Sequence, residues 1–222
     1  MEPALAVSKV SLAEIEAIAG AYQLAVLGGF ACNEADGTPK GAQTLLLLGP
    51  KEPGFWHFIQ DQPEWGATDP IDRWSRRVIG GMACDLGAKA LFPFGGAPYH
   101  PFYRWALRSG RVWESPVRLL VHSDQGLMVS FRGALALKQK LELPLPTTSP
   151  CTGCGQPCLS ACPVGALTTK GYDLPSCHGF LDSAAGADCM NSGCRVRRAC
   201  PVSVAYARLP EHSAYHMGQF HK

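Results

Sequence analysis

Apolar positions along the first two thirds of the chain recur at two periods, and the switches between them outline a mixed α/β domain. Ser11-Leu12-Ala13-Glu14 has the capping-box pattern and opens a helix that the spacing carries to about Gln23. Leu45 to Leu48 is apolar at every position and stops at Gly49-Pro50, which predicts a buried strand over Thr44–Leu48. A short helix follows over Pro53–Gln60. Asp69-Pro70 supplies an N-cap and a first-turn proline for a helix running to about Cys84. Ala88–Phe94 reads as the next strand, the Gly95-Gly96-Ala97-Pro98 turn as its end, and His100–Arg108 as helical. Val117–Val121 and Leu127–Leu137 read as paired strands, with Arg132 turned away from the apolar face. Leu143-Pro144-Leu145-Pro146 excludes regular structure and marks a linker. The expected organisation is one domain over residues 1–146 and a smaller one over 147–222.

The pattern changes after the linker, where cysteine takes over. Eight of the ten cysteines lie between Cys151 and Cys200. The first four read Cys151-x2-Cys154-x3-Cys158-x3-Cys162-Pro163, close to the run that binds cubane clusters in bacterial ferredoxins. Cys177 and then Cys189-x4-Cys194-x5-Cys200-Pro201 supply the complement. A proline after the last cysteine suits the first turn of a short helix that carries this thiolate to the other cluster. The expected ligand sets are Cys151, Cys154, Cys158 and Cys200 for one [4Fe–4S] cluster, and Cys162, Cys177, Cys189 and Cys194 for the other. The intervals after Cys154, Cys189 and Cys194 are longer than in the standard run. Structural zinc favours paired C-x2-C knuckles, and a disulfide scaffold belongs to smaller secreted domains. Cys32 and Cys84 fall outside the pattern and read as small apolar residues.

Composition narrows the setting. Hydrophobic residues make up 46% of 222 residues, enough for a substantial core, and the net charge of +2 gives no reason to expect a nucleic-acid partner. No apolar stretch is long enough to span a bilayer. Met1–Val10 lacks the basic start and apolar run of an export signal. With the clustered thiols, these features lead us to expect a cytoplasmic protein.

Two family resemblances sharpen the reading. The cysteine segment, with Cys177 placed after Tyr172-Asp173-Leu174 between two Cys-Pro motifs, resembles the ferredoxin-like domain of epoxyqueuosine reductases. Tyr99-His100 ahead of Arg104 is similar to a stretch of the same family. The N-terminal part resembles the CblC family of cobalamin decyanases and dealkylases. Three stretches carry that likeness: Thr44–Trp56, Thr68-Asp69-Pro70-Ile71-Asp72, and His122–Gly133 with its proline-rich exit to Pro146. Ser123 and Leu127 depart from that family's proline and second glycine.

Together these resemblances imply a nitroreductase-like, cobalamin-binding α/β (α+β) domain followed by a small ferredoxin-like domain with two clusters, a plan that reductive dehalogenases share. They imply a corrinoid site that includes Asp69, Tyr99, His100, His122, Gly126, Arg132 and Gly133. Asp69 also reads as a helix-start residue, Arg132 as a partner in a sheet-edge ion pair, and His100 and His122 as structural groups rather than cobalt ligands. Glu114 of Glu114-Ser115-Pro116 lies near the position of a proton-donating aspartate in epoxyqueuosine reductases; its alternative is an exposed turn residue. Arg195, Arg197 and Arg198 make one cysteine loop basic, suited either to docking an acidic ferredoxin or flavodoxin as electron donor or to facing solvent. The expected function is reduction of a corrinoid by cluster electrons, as in decyanation or dealkylation. The alternatives are an epoxyqueuosine-type reductase and a ferredoxin-like electron carrier.

Overall fold

The computed structural model describes residues 10–222; most of the stretch read for an export signal, up to Lys9, lies outside them. The chain is α+β. Helix α1 (Leu12–Ala21) begins at Ser11, whose hydroxyl accepts from the Glu14 amide while the Glu14 carboxylate accepts from the Ser11 amide. Strand β1 (Leu24–Ala31) follows, then β2 (Thr44–Pro50), α2 (Phe55–Gln60) and α3 (Pro70–Asp85). Next come β3 (Lys89–Leu91), α4 (Phe102–Arg108), the hairpin β4 (Val112–Glu114) and β5 (Leu120–His122), and β6 (Gly133–Leu137). The main sheet has the order β1-β2-β6-β3, antiparallel throughout.

Strand β2 is apolar at most positions because it is central and covered on both faces. Leu46 and Leu48 pack with Ile15, Phe55, Trp74 and Ile79 from α1, α2 and α3. Leu45 and Leu47 face the other way, toward Phe102 and Trp105 of α4. Helix α3 buries Ile71, Trp74, Ser75, Val78, Ile79, Met82 and Ala83, one stripe at helical spacing. Burying each such large side chain stabilises the fold by roughly 1.5–3 kcal/mol.

The structure differs from the sequence reading in several places. β1 is an unexpected strand, disguised by Gly28-Gly29. A Cβ at Gly29 would stand 2.6 Å from the Leu45 carbonyl oxygen, so β1 passes too close to β2 for any other residue. Val117–Val121 does not pair with Leu127–Leu137. Arg118, at φ 63°, closes a turn that pairs β5 with β4, and β6 starts only at Gly133, paired with β2 and β3. Leu127–Phe131 is buried without a ladder, because the end of the chain covers it: the Ser203 hydroxyl accepts from the Leu127 amide, Arg197 donates to the Leu127 carbonyl, and Arg208 to that of Met128. Asp69 does not cap α3 with its side chain; it sits in the left-handed region at φ 50°.

Beyond Pro146 the elements shorten: β7 (Leu167–Thr168), β8 (Gly171–Tyr172), α5 (Leu174–Leu181), α6 (Ala187–Ser192), α7 (Arg195–Arg198), α8 (Pro201–Tyr206) and α9 (Pro210–Phe220). Pro201 opens α8 as expected, but Pro163 lies in a turn, where the Gly165 amide bonds back to the Cys162 carbonyl. This stretch folds back on the sheet. His212 of α9 stacks on Trp56 at 5.1 Å, and both Tyr206 and Gln125 donate to the Pro50 carbonyl.

Candidate functional site

Two cavities collect the clustered cysteines. The first, of about 40 Å3, is lined by Cys151, Cys154, Cys158 and Cys200 together with Ser115, Val121 and Leu127. The second, of about 240 Å3, is lined by Cys162, Cys177, Cys189 and Cys194, with Arg197, Arg208 and His216 on its wall. Cys162 and Cys200 therefore sit across from their sequence neighbours, Cys162 with the later cysteines and Cys200 with the earlier ones. Local structure positions each sulfur. Cys158 is on a single 3-10 turn, Cys177 and Cys189 are on α5 and α6, and Cys194 and Cys200 lead into α7 and α8.

The sulfurs have donors and strained charges. The Gln156 amide lies 3.4 Å from Cys154 Sγ, the Ala166 amide 3.2 Å from Cys162 Sγ, and the Tyr172 hydroxyl 3.2 Å from Cys177 Sγ. Burial pushes the Cys158 thiol up, and Cys151, Cys200 and Cys154 push it the same way. Burial likewise raises Cys177, with Cys194, Cys162 and Cys189 adding to it. Four thiolates cannot crowd together without a compensating cation, so each group is suited to a metal centre. Among the described residues no three His, Cys, Asp or Glu side chains converge on a point suited to a single ion.

The residues assigned to a corrinoid by resemblance are dispersed. His122 is buried, and both ring nitrogens are engaged: Nε2 lies 3.1 Å from the Leu27 carbonyl oxygen, and Nδ1 accepts from the Asp124 and Gln125 amides. That leaves no lone pair for cobalt. Burial holds its pKa down to about 4. Gly126, at φ 56°, faces the cysteine half instead; a Cβ there would stand 2.5 Å from the Ser203 amide and 3.0 Å from Cys200 Sγ. Gly133 lies in the sheet under Ile79, 2.8 Å from a built Cβ. Tyr99 and His100 are on the exposed turn before α4, where His100 stacks on Trp105.

Asp69 and Arg132 of that set share a cavity, a recess of about 200 Å3 completed by Ile71, Asp72, Tyr215, His216 and Gln219. Arg132 forms an ion pair, with Asp72 at 3.0 Å, and lies over the Phe94 ring; it precedes β6, a central strand and not an edge one.

Glu114 is at the edge of the β4–β5 hairpin, exposed, and accepts from Tyr103 Oη at 2.5 Å and Arg118 Nη1 at 2.6 Å. Those bonds hold its carboxyl below the usual range. The basic cysteine loop is also not free. Arg195 and Arg198 both bond Asp188, and Arg197 points inward.

The sequence reading missed a buried polar chain beside the second cavity. Glu52 contacts His212 Nδ1, and His212 Nε2 lies 3.1 Å from His216 Nε2. Burial pushes Glu52 up and His212 down to about 2, so a neutral imidazole faces the carboxyl. His212-x3-His216, one helical turn apart, was the available signal.

No protein-family model matches the chain, and no curated protein matches it. A solved epoxyqueuosine reductase structure is similar at a TM-score of 0.41 and 14% identity, over 79% of this chain. The chain covers 55% of that structure, about half its length.

Proposed function

We propose that this chain is an iron–sulfur electron-transfer oxidoreductase with two [4Fe–4S] clusters. The observation that carries the reading is the sorting of eight cysteines into two groups of four around neighbouring cavities, with Cys162 and Cys200 exchanged between the halves. Cys151, Cys154, Cys158 and Cys200 would hold the first cluster, and Cys162, Cys177, Cys189 and Cys194 the second. When bound, such clusters accept and pass on single electrons at potentials set by charge, hydrogen bonds to sulfur and burial. The chain's own part is to donate to sulfur from Gln156, Ala166 and Tyr172, and to keep the wall between the cavities apolar with Leu127, Val121 and Val196.

Anaerobic reconstitution with iron and sulfide tests this. About eight irons per chain, four for each cubane, and reducible four-iron EPR signals are the expected result. Tight binding of one zinc per cysteine group, with no EPR signal after reconstitution, would sink it.

The finer reading is that a corrinoid accepts the electrons. It rests on the resemblance of residues 44–146 and on the recess where Asp69 and Arg132 meet beside the second cavity. A spectral titration of the reconstituted protein with hydroxocobalamin decides it. Binding that Arg132→Ala weakens supports the corrinoid; absence of binding leaves a two-cluster carrier or a reductase of another acceptor.

A further inference from the structure

The two cysteine-lined cavities differ in charge. No charged side chain lines the first. Arg195, Arg197 and Arg208 line the second. Arg195 is neutralised by Asp188 at 2.6 Å. Arg197 and Arg208 are not: among the described residues neither forms an ion pair with a carboxylate. Arg197 is held by the Leu127 carbonyl and Arg208 by that of Met128, while Arg208 Nε is buried with no partner at all. Glu52 is the carboxyl that acts most on Arg208, but it is engaged by His212 and forms no ion pair with the arginine. Arg208 is pushed down to about 10 by burial and remains a cation at neutral pH. His216 on the same wall is held well down by burial and adds no charge.

Arg197 and Arg208 are half-buried, and a cation withdrawn from water without a counter-charge is costly. Two of them beside one group of four cysteines require an anion there. A cubane bound by four thiolates is a net anion, and reduction adds one further negative charge. We infer that Arg197 and Arg208 are the counter-charges of the second cluster, that they raise its reduction potential above that of the first, and that electrons therefore run from the Cys151–Cys200 cluster to the Cys162–Cys194 cluster. The inference rests on the two-cluster reading. Each transfer oxidises the first cluster by one electron and reduces the second by one; a low-potential one-electron donor restores the first, and no proton needs to move. The direction fits the surroundings, because His216 lines both the second cavity and the open recess of Asp69, Asp72 and Arg132. The electron-rich cluster stands one side chain from the place where an acceptor can dock.

The test is an EPR-monitored redox titration of the reconstituted full-length protein. Cys154→Ser and Cys177→Ser, each perturbing one signal, assign the signals to the two clusters. The second cluster should be reduced first. Arg208→Met should lower its reduced-to-oxidised ratio at fixed potential about tenfold, which is about 59 mV for a one-electron couple, and leave the first cluster unmoved. Arg197→Met should act in the same direction, and Arg208→Lys should retain most of the wild-type potential. If Arg208→Met does not fold, the last two variants decide alone. The inference is overturned if the first cluster is reduced first, if the Met variants leave the second potential unchanged, or if they move both potentials alike. A protein that takes up no four-iron cluster overturns the two-cluster reading and this inference with it; two clusters in the wrong order overturn the inference alone.

Discussion

Leu45, Leu46, Leu47 and Leu48 are fully buried on a strand hydrogen-bonded along both edges, whereas the clustered cysteines sit on loops and on helices of four to eight residues. Helices that short are marginal by themselves. The sheet half satisfies its backbone within its own ladders and fills its interior with leucine, tryptophan and isoleucine. The cysteine half has a small apolar core, chiefly Leu167, Leu181 and Val196, and borrows Val117, Val121 and Leu127 from the other half. The difference teaches where stability comes from. One half is held by burial of apolar surface; the other has little of it and relies on docking and, on the proposed reading, on its clusters.

The sharpest way to break this contrast is to remove the iron. Chelation of the reconstituted protein should abolish amide-exchange protection across α5 to α8 while β2 and β6 keep theirs; equal loss in both halves would show a single cooperative unit. Next in size is a cavity mutation on the sheet side. Leu46→Ala should cost about 2–5 kcal/mol in denaturant unfolding with iron content unchanged. Its mirror image is Gly126→Ala, whose new methyl meets the Ser203 amide and Cys200 Sγ. That variant should lose iron from the first site and leave the sheet intact, a split that iron analysis and circular dichroism detect together.

The pH dependence of stability separates the halves further. His122, neutral when folded, has its pKa held down to about 4 against 6.5 when free. The unfolded chain therefore binds its proton first as pH falls. The contribution is complete above about 6.5 and is lost between there and about 4, about 3 kcal/mol in all. Unfolding of the iron-free protein at pH 7 and pH 4.5 measures it; replacing His122 with Gln should flatten that part of the profile. The smallest effect is at the far end of the sheet half. Ser11→Ala removes the α1 cap and should cost about 1 kcal/mol without touching iron.

What the sequence alone determined is local. The α1 cap, the α3 stripe and the β2 strand were legible because each is written in neighbouring residues at helical or strand spacing. The grouping of the cysteines into two fours was written in their spacing, because thiols gathered around one point by a tight loop are a few residues apart. The tertiary structure decided everything that depends on close approach between distant segments. Strand β1, with Gly28-Gly29 in its middle, was not expected, because only the neighbouring Leu45 backbone reveals why glycine is required. Gly126 looked like part of a ligand loop and is the seat of Cys200. Leu127–Phe131 had a strand's pattern and lost its ladder to Ser203, Arg197 and Arg208 from the far end of the chain. The Glu52–His212–His216 chain spans more than 160 residues of sequence. No local pattern encodes such contacts; they exist because burial leaves each polar group dependent on whichever partner the fold brings to it.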